Sequence, residues 1–271
     1  MHWEFPEADA GEHIEGACVG ENGDTSLRVL VADLHIHTCL SPCATLDMTP
    51  QKIVKEAKKK KLDIIAITDH NSAENIAAVM AVAEDVGLAV IPGMEITTEE
   101  EVHIVGLFED VEAALSMQYQ VYDRLQPGKN DEDLFGMQVV ANAFDEVEGM
   151  NTRLLIGATR MNLGRVVKAI HERNGVAIAA HIDREAFSLM GQLGFIPDGM
   201  NLDALEISRR MTLEQGRLVF RDLKRIPFLT SSDAHDLEEI GVSPTGFRVT
   251  RPALTELKQA LRGTGGRGIE Y

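Results

Sequence analysis

Five short polar motifs in this chain each appear where an apolar run stops. They are DLHIH at 33–37, TDH at 68–70, GME at 93–95, AAH at 179–181 and SSDAH at 231–235. Short apolar runs alternating with helical patterns read as buried strands of a mainly parallel sheet covered by helices. With roughly seven such strands in one uninterrupted stretch, a closed barrel suits them better than an open sheet. In a barrel of that kind the C-terminal strand ends share one face, where side chains remote in sequence converge. The five motifs therefore have one place to meet.

The local pattern supplies the elements. TPQKIVKEAKKKK opens a helix, with Thr49 as its cap and Pro50 at its first position. The basic run Lys58–Lys61 ends that helix and suits its dipole, so a solvated cap is a better reading of it than a nucleic-acid patch. LDIIAIT, LAVIPGMEI and EVHIVGLF are strands, and ENIAAVMAVAEDVG is a helix that closes near Gly87. Asn162 caps LGRVVKAIHERNG. Strands VAIAAH, LDALEIS and IPFLTSSDAH follow, with a helix around TLEQGRLVFRDLK and a last one in TRPALTELKQALRG. Residues 110–161 break the alternation and are expected to form a helical insertion. Residues 1–26 form an acidic leader or irregular edge, and 27–271 a single catalytic domain.

The motif residues have metal-binding chemistry. His35 and His37 stand two apart on a strand, so both imidazoles face one side, and Asp33 shares their parity. Asp233 and His235 repeat the spacing on the last strand. Glu95 has two oxygens and can bridge two cations. His70 and Asp69 end one strand and His181 another, and Asp69 can orient a ligand through a hydrogen bond. His103 lies inside EVHIVGLF, where a core histidine and a ligand are equally good readings. Imidazoles with carboxylates form a nitrogen–oxygen donor set suited to zinc, iron or manganese.

Charge limits the partners. The chain carries a formal charge of −17, and residues 95–148 hold only two basic residues, Arg124 and Lys129. That argues against coating long nucleic acid, which takes many phosphate contacts from lysine and arginine. Cys18, Cys39 and Cys43 form no Cys-x-x-Cys pair and make a poor disulfide framework. The acidic, polar first residues do not resemble a secretory signal, and no apolar stretch reaches membrane-spanning length. A cytoplasmic protein with no membrane partner is expected.

Taken together, DLHIHT, TDH, PGMEI, the VH that ends at His103, AAH and SDAH resemble the polymerase-and-histidinol-phosphatase (PHP) superfamily, in its order and over residues 30–240. The resemblance implies a distorted (β/α)7 TIM-like barrel holding two or three divalent ions. It implies that His35, His37, Glu95 and Asp233 bind one ion and that Glu95, His103 and His181 bind a second. His70 and His235 belong to a third group. Many members place an aspartate five residues beyond the second histidine, and some a histidine six beyond. Here these positions are Pro42 and Cys43, so Cys43 either supplies a thiolate or the third site is weak or absent.

The activity implied is phosphoester hydrolysis by a metal-activated water, with Glu95, Asp233 and His235 at the catalytic centre. Arg184 is the leading phosphate contact, and Arg209 and Arg210 compete with it, because guanidinium geometry matches phosphate. A small phosphomonoester, such as a nucleotide or phosphorylated metabolite, is the first substrate class, and a short oligonucleotide or other phosphodiester the second. An amidohydrolase and a noncatalytic metal-binding regulatory domain are the other classes left open.

Overall fold

The computed structural model describes residues 26–270. The leader up to residue 25, with His2, His13 and Cys18, lies outside them. In chain order the elements begin with β1 (Arg28–Ile36), α1 (Pro50–Lys59), β2 (Ile64–Ile67), α2 (Ile76–Glu84), β3 (Ala89–Thr97) and β4 (His103–Leu107). Next come α3 (Val111–Arg124), α4 (Glu132–Phe135), β5 (Val139–Ala141), β6 (Val147–Met150), α5 (Leu163–Glu172), β7 (Val176–Ala179) and α6 (Leu189–Leu193). The chain ends with β8 (Ala204–Ile207), α7 (Leu213–Val219), β9 (Phe228–Thr230), β10 (Thr245–Val249), α8 (Leu254–Leu261) and β11 (Gly268–Glu270).

The main sheet runs β11-β10-β1-β2-β3-β4-β7-β8-β9. Its far edge returns to β1 through a parallel bridge between Ile36 and Ala234, and the His37 amide donates to the Ala234 carbonyl at 3.0 Å. The seven strands from β1 to β9 of this order thus form a nearly closed α/β barrel. β10 and β11 continue from β1 as an antiparallel flap that the sequence pattern did not announce.

One strand departs from the expected parallel order. β4 pairs antiparallel with both β3 and β7, with Thr97 opposite His103. A parallel return takes a crossover of about a dozen residues, and only residues 98–102 separate these two strands. The reversal matters for the site, because β4 begins at the face where β3 ends.

Alternate strand residues divide into two clusters. Ile65, Ile67, Met94, Ile96, Ile104, Ala177 and Leu205 pack with apolar residues of α1, α2, α3 and α5. Leu30, Ala32, Ile64, Ile91, Val105, Ile178, Ala204 and Leu229 form the barrel interior, joined by Leu254 and Leu257 of α8. Strands packed this closely leave no room for a side chain at Gly93. A Cβ there would lie 2.8 Å from Thr68 Cγ2 and 2.9 Å from the Ile67 carbonyl oxygen.

Residues 110–161 are not the helical insertion the sequence suggested. Only α3 is a sustained helix. α4 is a single turn, and β5 and β6 form a separate antiparallel hairpin. The hairpin grips the loop after β1, where Cys39 packs with Val139 and Ala141. Thr49 is the N-cap residue of α1 and Pro50 its first residue, as expected, but the hairpin supplies the capping bond. Thr49 makes no capping bond to the helix and instead donates its hydroxyl to Asp145 Oδ2 at 2.8 Å. The other Asp145 oxygen accepts from the Gln51 amide at 2.9 Å. Asp145→Ala is expected to cost about 1 kcal/mol, the usual worth of a side-chain cap. Urea denaturation checks it, and an unchanged midpoint would rule the cap out. Asn162 caps α5 as expected, accepting from the Arg165 amide.

Candidate metal centre at the barrel mouth

Glu95 lies near the C-terminal end of β3, almost fully buried, and its carboxylate is surrounded by imidazoles. Oε1 is 2.8 Å from His103 Nδ1, 3.2 Å from His181 Nε2 and 3.4 Å from His35 Nε2. Oε2 is 3.1 Å from His70 Nδ1 and 3.3 Å from His37 Nε2. Four strand ends therefore deliver five histidines to one side chain, two of them from β1. On the far side, Asp233 Oδ1 lies 3.3 Å from His35 Nε2 and 3.2 Å from His37 Nε2.

The donor atoms form three overlapping groups: His35, His37, Glu95 and Asp233; His70, Glu95 and His103; and His37, His70 and His235. His181 touches the second through Glu95. The fit to a cation is visible in the unsatisfied atoms. His181 Nδ1 is buried without a hydrogen-bond partner, and His70 Nδ1, Glu95 Oε2 and His103 Nδ1, each within 3.3 Å of an imidazole or carboxylate atom, still lack a contact of hydrogen-bond geometry. Buried polar atoms of this kind are costly unless something pairs with them, and a nitrogen–oxygen donor set suits manganese, zinc or iron.

Burial and charge divide the titrating groups. Burial opposes the charged form of His35, but Glu206, Glu95 and Asp233 outweigh it and hold the imidazole well above its ordinary value. His37, likewise buried, is raised to about 9 by Asp233 and Glu95. Burial lowers His70 and His103, and it takes His235 down to about 4 with help from His37. Glu95 and Asp233 stay ionised despite burial because the imidazoles hold both well below the carboxylate range. The centre thus keeps two carboxylates charged among the imidazoles.

The supporting residues differ from their sequence reading. Asp33 does not share the parity of His35, because a register shift between Asp33 and Ile36 turns the strand over. Its oxygens accept from the Ser232 amide at 3.0 Å and the Gly241 amide at 2.8 Å, anchoring the loop that carries Asp233. Asp69 accepts from Ser41 Oγ at 2.7 Å, and Ser41 Oγ lies 2.9 Å from His37 Nδ1, so Asp69 orients His37 through the serine. Two residues the sequence reading missed are Ser41 and Glu206. The Glu206 oxygens both lie 3.1 Å from His35 Nδ1, and Oε1 also accepts from the His181 amide at 3.2 Å.

Backbone strain collects at the same face. His181 has φ +32°, Asp233 φ +50°, and Asn71, beside His70, φ +52°. Such angles are rare outside glycine and persist where surroundings over-determine them. Asn71 shows how, since its side-chain amide donates to the Leu155 and Gly157 carbonyls while Oδ1 accepts from the Thr97 amide.

The remaining expected residues lie around the rim. Cys43 is exposed on the loop after β1 and belongs to none of the three groups. Arg184 Nη1 is 2.6 Å from Asp233 Oδ2, and Arg210 lines the cleft beside it. Arg209 instead pairs with Glu239, whose Oε2 accepts from the His235 amide.

The PHP domain family matches residues 33–190, more than half of the chain, and this chain belongs to that family. Among similar proteins is the 5′-3′ exoribonuclease Rnm of Escherichia coli, 37% identical over 101 residues, which are 35% of this chain and 33% of that protein. The lesion-specific endonuclease PfuEndoQ of Pyrococcus furiosus aligns with a TM-score of 0.68 and 20% identity, over 89% of this chain and 58% of that one. An amidohydrolase of Chromobacterium violaceum aligns at 0.55 with 17% identity, over 85% and 96%. Both structural likenesses concern the fold. The matched segments span from about a third to about half of the first curated relatives. Among the described residues, no helix is long and apolar enough to cross a membrane.

Proposed function

We propose that this chain hydrolyses the phosphate ester of a small substrate, a phosphorylated nucleotide or metabolite, at the barrel mouth. The observation that carries this reading is the Glu95 carboxylate in contact with five imidazoles, beside a guanidinium. His35, His37, Glu95 and Asp233 would hold one divalent ion. His70, Glu95 and His103, with His181 beside them, would hold a second. His37, His70 and His235 would hold a third, with Cys43 a further candidate donor at the rim. Such ions, when bound, supply charge that polarises a phosphoryl group and acidifies water near it.

The chain's own residues do the rest. Glu95 keeps the donor groups at a common centre, and Asp33 and Asp69 hold Asp233 and His37 in place through hydrogen bonds. Arg184 offers the phosphate a charged fork. Its Nε is buried without a partner, a donor in search of an acceptor. Arg210 faces the same cleft and Arg209 stands behind it on the rim. A carbonyl substrate would make no use of that guanidinium pair.

A second reading, a phosphodiester at the end of a short oligonucleotide, is favoured by the 37% identity to an exoribonuclease. The test uses protein reconstituted anaerobically with manganese, zinc or iron, offered phosphomonoesters and short oligonucleotides side by side. Phosphate release that His37→Ala abolishes is expected. Nucleotide release alone would put the second reading first, and no product from either class under any metal would sink both.

A further inference from the structure

We infer that Phe187 is a stacking platform for the nucleobase of the substrate, set beside the metal-binding donors; the inference rests on the phosphoester reading above. Phe187 has φ +57°. For a bulky side chain that backbone is an outlier, kept only where surrounding contacts fix it. The contacts are present on both sides. The Phe187 carbonyl accepts from the His103 amide at 2.8 Å. The next residue, Ser188, donates its hydroxyl to the Arg184 carbonyl and accepts from the Gly191 amide at 2.8 Å.

What this anchored turn secures is the place of an aromatic ring. The Phe187 ring lies 4.8 Å from that of His103 at an interplanar angle of 20°, yet the residue remains 40% exposed. A residue whose task was burial would not be held at the edge of an open cleft. That cleft, about 620 Å³, is lined by His103, His181, Arg184, Phe187 and Arg210. Asp183 and Glu185 also line the cleft, and the Asp183 oxygens are turned to the Ser208 amide and hydroxyl at 2.7 Å each. An apolar planar face beside two guanidinium groups and a cation centre matches a base joined through a sugar to a phosphate. Stacking on an aromatic side chain is tolerant of base identity. A sugar phosphate without a base would use the arginines and leave the ring uncovered.

Calorimetry in EDTA, where the metal centre is empty and no turnover intrudes, gives the affinities of adenosine 5′-monophosphate and ribose 5-phosphate. Wild type is expected to favour the nucleotide by about tenfold, in the range of one base stacked on one aromatic ring. Phe187→Leu, which still covers His103 but has no planar face, is expected to bring that ratio towards one, and Phe187→Trp to keep it. The chain has a single tryptophan, Trp3. In a Trp3→Phe, Phe187→Trp protein the nucleotide should therefore quench the emission and ribose 5-phosphate should not. Equal wild-type affinities, a ratio that Phe187→Leu leaves intact, or absent quenching would each overturn the inference. A 5′-phosphorylated oligoadenylate run alongside tells a strand end from a free nucleotide by which ligand depends on Phe187. Base preference without phosphate or nucleotide release after manganese loading would support the platform and sink the hydrolytic reading, so the two failures are distinct.

Discussion

Glu95→Gln is expected to cut hydrolysis by roughly a hundred- to a thousandfold, the scale seen when a preorganised electrostatic group is removed from a reaction centre. The change keeps the side chain's size and removes its charge, so it isolates what the carboxylate does. Two of the three donor groups contain Glu95. With a neutral amide there, His70 and His103 lose their only anionic partner in those groups, and both are already held below their ordinary values by burial. The group formed by His37, His70 and His235 keeps its three imidazoles. Metal analysis of the purified variant should therefore show partial retention, with the loss concentrated in the two groups that share Glu95. Thermal melting in EDTA serves as the control for folding. Activity within tenfold of wild type, or unchanged metal content, would show that Glu95 is not the hub of the centre.

The sequence revealed the barrel and most of its mouth for a physical reason. A buried parallel strand is apolar until it reaches the mouth, so a polar residue ending the run marks both a boundary and a direction. His35, His37, His70, Glu95, His181 and Asp233 were all found this way, and the structure brings their donor atoms together. His103 was harder because β4 runs the other way and delivers its histidine from the first residue of the strand. The short link between β3 and β4 was the available signal for that reversal. Asp33 was placed on the wrong face because one register shift exchanges inward and outward residues. No alternation rule anticipates a bulge. Ser41 gave no signal at all, since its place beside Asp69 and His37 depends on the fold of the loop after β1. The insertion defeated the reading differently. Its hairpin strands are only three and four residues long, too short for periodicity to declare them.

Glu206 could have been found, since it is the one charged residue within ALEI, the run that forms β8. Its parity with Ala204, which lies in the barrel interior, points it inward, and it is 1% exposed. An inward carboxylate needs a partner, and both its oxygens take His35 Nδ1 at 3.1 Å. That contact holds the Nδ1 proton on the Glu206 side and leaves the Nε2 lone pair facing Glu95 and Asp233. Outer partners of this type commonly set metal affinity by 10–100-fold, roughly the loss expected for Glu206→Ala. Glu206→Gln keeps an acceptor oxygen and the volume, and should fall between the alanine variant and wild type. Manganese titration followed by electron paramagnetic resonance reads the affinity per folded molecule. A melting curve in EDTA reports the fold separately. If Glu206 only fills space, the alanine variant will melt earlier but bind manganese as tightly as wild type, and its role in aiming His35 will have to be given up. If it aims His35, glutamine will recover part of the affinity that alanine loses, and the recovery will not track the melting temperature.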